Sequence, residues 1–202
     1  MPWSPVDADK FVKRIAAVVA LAACVATANA GPREQAKRMH DRIAGVPPSA
    51  TVLGLMETEI AGGRADAAAL IAMDNPAFYS VTLKNLVTPW TNREQTVFVP
   101  LNDYTATVIG MVRDDLPFNE VLSSDVLYVG NAGLGLPAVS ATNNDHYEQI
   151  ETRGVNLLTG LQRTTQSGVY GTPPAATAGV LTTRAAAQSF FIAGTNRAMF
   201  RF

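Results

Sequence analysis

The chain has 202 residues, 48% of them hydrophobic and 16% charged, enough apolar material to bury a core and too little charge for a disordered chain. Sixteen Lys and Arg against 17 Asp and Glu leave a formal net charge of −1, which argues against a nucleic-acid partner. The single cysteine, Cys24, leaves no internal disulfide, no multi-cysteine metal site and no CxxCH haem attachment.

Residues 1–30 read as an export signal. Lys10, Lys13 and Arg14 precede an apolar run from Ile15 to Ala23, too short for a bilayer at about 20 residues but suited to a signal's apolar core. Two cleavage sites compete: Ala28-Asn29-Ala30 before Gly31, and the lipobox-like Leu21-Ala22-Ala23 before Cys24. The second makes Cys24 a lipidation candidate; otherwise it is a small hydrophobe within the signal. The expected location is therefore periplasmic or outer-membrane-anchored, with any membrane contact made through the lipid. The intact mass of the mature protein separates the two outcomes: cleavage before Gly31 leaves an unmodified chain, and cleavage before Cys24 leaves a longer, acylated one.

From residue 31 to 202 the pattern predicts a mainly α, irregular multi-helix domain with long loops and at most a minor β pair. Ala36, Met39 and Ile43 give Arg33 to Ala44 a helical stripe that Gly45 and Pro47-Pro48 stop, with His40 expected on the surface. Ser49 is placed to cap a helix over Ala50 to Ala61, closed by Gly62-Gly63, and an alanine-rich helix follows from Arg64 to Met73. Asn75 and Pro76 open a fourth that runs to about Val87, with Phe78, Val81, Leu83 and Leu86 as its buried side.

Beyond Thr88, Pro89, Pro100 and Pro117 cut the chain into short pieces. Trp90 is expected as an anchor against the helical core, and Thr91 with Glu94 as a capping box. Asn102 or Asp103 opens a helix across Tyr104 to Arg113, Phe118 to Ser123 gives a helical turn, and Leu127-Tyr128-Val129 is β-like. Asn131 to Asn144 reads as a long loop, His146 to Glu151 as a short helix capped by Asn144 or Asp145, and Val155 to Leu161 as another helical piece. Thr164 to Ala178 reads as a second loop. Thr182 or Thr183 then caps a helix through Phe190-Phe191, and Thr195 or Asn196 caps one beginning at Arg197. An apolar-aromatic end at Ala198 to Phe202 is read as a helix cut short, so that the domain is expected to continue.

Four stretches carry a resemblance: TLKNLVTPWTN (82–92), the run QTVFVPLNDYTATVIGMVRDDLPFNEVLSSDVLYVG (95–130), TNNDHYE (142–148) and AGVLTTRAAAQSFFIAGTNRAMFRF (178–202). Together they resemble the exported, cytochrome-associated proteins of planctomycete-cytochrome type, which carry paired domains of unknown function ahead of a c-type haem motif. Pro117-Phe118-Asn119-Glu120-Val121-Leu122 and Ala178-Gly179-Val180-Leu181-Thr182 are similar to recurring phrases of those domains. The resemblance implies a non-catalytic module that scaffolds a haem domain or serves a redox partner. Haem c is then expected in sequence following a phrase like the final TNRAMFRF, because no residue here corresponds to the haem cysteines or their axial histidine.

Reactive groups are few. Asn143, Asp145 and Glu148 offer oxygen ligands for a calcium ion, without the EF-hand spacing; the alternative is a helix start with His146 partly exposed. Asp114 and Asp115 beside Arg113, with Asp125 or Glu120, are candidates for paired acid–base work, or else a solvated helix end. His146 and Asp145 are the remaining catalytic candidates, since no GxSxG elbow accompanies the serines. Gly133-Leu134-Gly135 lacks the third glycine of a dinucleotide fold. Two functions follow: the non-catalytic cytochrome-associated module, or an extracytoplasmic hydrolase or ligand-binding domain. The second would hold its pocket near Asp145 and His146, between the 131–148 loop and Asp114-Asp115.

Overall fold

A computed structural model describes residues 30–191; the expected export signal as far as residue 29, Cys24 within it, and the helix expected from Arg197 lie outside them. The architecture is mainly α, with one two-stranded antiparallel sheet among the described residues. No helix of that stretch is long and apolar enough to cross a membrane.

Three helices come first: α1 (Pro32–Ile43), α2 (Ala50–Ala61) and α3 (Ala65–Met73), each in contact with the other two. Pro32 opens α1, where a missing N–H costs nothing, and the Ser49 hydroxyl accepts from Val52 N at 3.3 Å to cap α2. Ala36, Ala68 and Ala72 let the backbones close around Met56, and all four are fully buried. His40 is buried too, contrary to the surface position expected from its charged neighbours. Its Nδ1 donates to Val46 O at 2.8 Å, and its Nε2 faces the Asn75 amide nitrogen at 3.4 Å. The ring thus ties the α1–α2 connection to the start of the next helix.

Asn75 opens that helix as expected, its Oδ1 accepting from Ala77 N at 2.9 Å. The middle, Phe78–Leu83, is wound as a π-helix before the chain continues as α4 (Lys84–Val87) and a 3-10 turn, Thr88–Thr91. Of the expected face, Leu83 is buried, Phe78 packs half-buried on the core and Val81 is half-buried, so Leu86 alone departs from it. Tyr79, Leu83 and Val87 are buried, whereas Leu86 is 55% exposed. Trp90 is 46% exposed and does not anchor the core. No helix follows Thr91, so there is no capping box; Asn92 organises the turn by accepting from Thr96 N and donating to Thr88 O and Thr96 O.

The central element is α5 (Asp103–Arg113), buried continuously from Asp103 to Met111. Asn102 caps it, accepting from Thr105 N at 3.0 Å. Its sequence explains the burial: Thr105, Ala106, Thr107 and Gly110 are small enough for neighbours to approach on several sides. Strand β1 (Val126–Gly130) lies along it, and the Tyr128 N–H donates to Thr107 Oγ1 at 3.2 Å. All five β1 residues are buried, so its backbone groups need partners. These come from β2 (Leu161–Thr165), running from the Val126↔Thr165 pair to the Gly130↔Leu161 pair. β2 falls where a helical piece and a loop were expected; LQRTT has one buried apolar residue and no alternation to mark it.

The Tyr128 ring lies over Gly110, where an added Cβ would sit 2.2 Å from ring carbons. Gly110→Ala gains about 1 kcal/mol of helix propensity but overpacks a fully buried ring at about 1–3 kcal/mol or more. A net loss of about 1–2 kcal/mol is expected in urea unfolding.

The remaining helices are α6 (Asp145–Thr152), the single turn α7 (Leu157–Gly160), α8 (Gln166–Tyr170) inside the expected second loop, and α9 (Arg184–Ala186), which continues as a π turn, Ala187–Phe191. Short 3-10 turns occur at Phe118–Leu122, Ala132–Leu134 and Pro174–Ala176. Thr183 caps α9 as expected, accepting from Ala186 N at 3.4 Å.

Candidate functional site

The polar residues of the molecule meet where the N-terminus of α5, the start of α6 and α9 converge. Asp103 is fully buried at the first turn of α5. Its Oδ1 accepts from Tyr104 N and Ala185 N, both at 3.0 Å, and its Oδ2 accepts from Arg184 N at 2.6 Å and from the Tyr170 hydroxyl at 2.9 Å. One carboxylate thus closes the N-termini of two helices, where the backbone N–H groups of each lack partners. Burial, followed by the Asp103 charge, pushes the Tyr170 hydroxyl well above the usual phenol range, which keeps it a donor. Tyr147 is raised by burial in the same way, and its hydroxyl donates to Tyr128 O at 3.0 Å.

Above this layer opens a cleft of about 730 Å³, within the span of small-ligand sites. Its walls are the 91–102 segment, the 141–148 segment and the 184–189 helix. The walls are tied together: Arg184 donates to Asn144 Oδ1 at 2.8 Å and to Gln188 Oε1 at 2.7 Å, and the Asn144 amide donates to Leu101 O at 2.8 Å. Asn102 donates to Thr91 Oγ1 at 2.9 Å, and the Ser189 hydroxyl donates to Thr91 O. A second depression, lined by Pro89, Trp90 and Phe190, shares Asn92, Arg93 and Ser189 with the first, so the two adjoin.

Of the residues nominated from the sequence, Asn143 and Glu148 line this cleft. Asn143 Oδ1 accepts from Asp145 N at 3.2 Å, and Glu148 Oε1 accepts from the Asn144 amide at 3.4 Å. Asn144 makes no side-chain cap on α6, because its amide is engaged with Leu101 and Arg184. Asp145 is exposed at the first turn of α6. His146 is 6% exposed, not partly exposed as expected. Its Nδ1 donates to Pro137 O at 2.7 Å and its Nε2 accepts from Gly130 N at 2.9 Å, so both ring nitrogens hold the 131–144 loop against the end of β1.

Asp114 and Asp115 lie at the other end of α5 and do not line the cleft. Arg113 clasps Asp114 with two bonds, at 2.7 and 3.0 Å, and the Tyr128 hydroxyl donates to the same carboxylate. Asp115 is exposed at φ +50° in the turn that follows. Asp125 accepts from Ser167 N at 2.9 Å and from its hydroxyl, capping α8, while Glu120 is half-buried on its 3-10 turn. The sequence reading therefore found two lining residues and missed Asn92, Arg93, Arg184 and Gln188. Their amides and charges sit in segments that read as turns and caps, and only the fold brings them together.

Hydrogen bonding to Arg113 holds the Asp114 carboxyl below the ordinary carboxylate range, against the opposing effect of partial burial. A lowered folded-state pKa stabilises the fold above the unfolded carboxylate range and loses that contribution as pH falls through the folded value. The acid limb of a thermal-midpoint-versus-pH series, below about pH 4, should accordingly be shallower in Asp114→Asn than in the wild type. Among the described residues, no three His, Cys, Asp or Glu side chains converge as a metal site.

No family model, curated protein or solved structure matches this chain.

Proposed function

We propose that this chain is an exported, non-catalytic module of a c-type-cytochrome-associated redox protein, which packs against and positions a haem domain or redox partner. The observation that carries the reading is the meeting of the two phrases on which the resemblance rests. Val180 N donates to Val121 O at 2.8 Å, and Gly179, at φ +54°, lies so close that an added Cβ would sit 1.9 Å from that oxygen. A contact of this kind does structural work and presents no reactive group, which suits a scaffold.

The residues present do not fit haem attachment: there is no CxxCH, and the rings of His40 and His146 are each engaged at both nitrogens. Haem chemistry therefore belongs to the partner in this reading. The test is to sequence the gene and its neighbours, express the natural product and stain it for covalent haem. A CxxCH-bearing product in the same frame or a co-purifying cytochrome is expected. A product without haem, from a locus without any cytochrome, would remove the reading.

A further inference from the structure

We infer that the cleft and its Trp90 extension form a binding site for an uncharged oligosaccharide. The lining is rich in carboxamides and hydroxyls, with Asn92, Asn143, Gln188 and Thr142 among them. Asn92 is engaged in its own turn, but Asn143 and Gln188, whose oxygens accept from Asp145 N and Arg184, keep their amide N–H donors for a ligand, and the hydroxyls add acceptors, a mixture that vicinal hydroxyl groups can satisfy. Charge is balanced at the rim, where Arg93 and Arg184 stand against Glu94 and Glu148. That balance gives a phosphate or carboxylate ligand no net attraction. At one end, the half-exposed indole of Trp90 supplies an apolar surface with a polar tip, matching the apolar C–H face of a sugar ring.

A peptide is the less suitable occupant. Strand addition needs a free sheet edge, and neither strand lines the cleft; helix docking needs a long apolar groove, whereas the apolar lining is concentrated at Pro89, Trp90 and Phe190 at one end. The connections between Arg184, Asn144, Asn102 and Ser189 fix the walls before any ligand arrives, which limits the ordering cost of binding. This inference is independent of the haem partnership and stands or falls by its own test.

Isothermal titration of the full chain with maltohexaose, cellohexaose and hexa-N-acetylchitohexaose tests it, with hexagalacturonate and a neutral Gly-Ser peptide as comparisons. At least one neutral hexasaccharide should bind, with affinity lowered about tenfold or more in Trp90→Ala and in Gln188→Ala. Both side chains are exposed, so the variants should keep the wild-type melting midpoint, which circular dichroism checks. Silence with all three neutral sugars would overturn the inference. So would tighter binding of the uronate or the peptide, or wild-type affinity in both variants.

Discussion

Asp103→Ala is expected to lower folding stability by about 3–5 kcal/mol, because each buried donor left unpaired costs about 1–3 kcal/mol. The carboxylate is fully buried and satisfies four donors from three parts of the chain. Water entering the space cannot serve all of them in the geometry that one carboxylate does. Asp103→Asn should cost less, about 1–3 kcal/mol. Its remaining oxygen can keep Tyr104 N and Ala185 N, and the Tyr170 hydroxyl can turn to accept from the new amide. Arg184 N and the Tyr170 O–H then lack the acceptor they shared. Urea unfolding of the two variants measures the difference, and a loss below about 1 kcal/mol for the alanine variant would show that α9 does not depend on Asp103. The alanine variant should also open the cleft, since Arg184 holds Asn144 from the helix that Asp103 positions.

That carboxylate shows where the sequence was legible and where it was not. Asn102 and Asp103 announce a helix start locally, because a capping oxygen three residues ahead of an N–H is a short-range pattern, and α5 begins there. Ser49, Asn75 and Thr183 were legible for the same reason. The second task of Asp103 depends on Arg184, 81 residues away, and no periodicity records it. His40 and His146 mislead in the opposite sense. Charged or polar neighbours in sequence place them on a surface, yet backbone carbonyls and an N–H brought in by the fold satisfy both rings and permit burial. The π winding at Phe78–Leu83 is equally silent, because a hydrophobic pattern carries no mark of one wider turn. β2 was missed because it exists to pair the buried backbone of β1, a requirement written in β1 and not in its own residues.

Gly179→Ala tests whether the 117–122 and 178–182 segments have a joint structural task. The new methyl would meet Val121 O at 1.9 Å, Val121 C at 2.5 Å and Leu122 C at 2.8 Å, all backbone atoms that no rotamer change can move aside. The positive φ adds strain for any residue with a Cβ, of about 1 kcal/mol or more. Displacing the chain would also strain the Val180 N to Val121 O bond and the Gln166 amide, which donates to Gly179 O at 2.7 Å. A loss of about 3 kcal/mol or more is therefore expected, against about 1 kcal/mol for Gly171→Ala, where φ is +71° but no atom lies within 4 Å. The Gly171 variant isolates the backbone strain, so the difference between the two measures the contact itself. Equal losses would mean that the Val121 carbonyl gives way freely and that the close approach of the two segments adds nothing to stability.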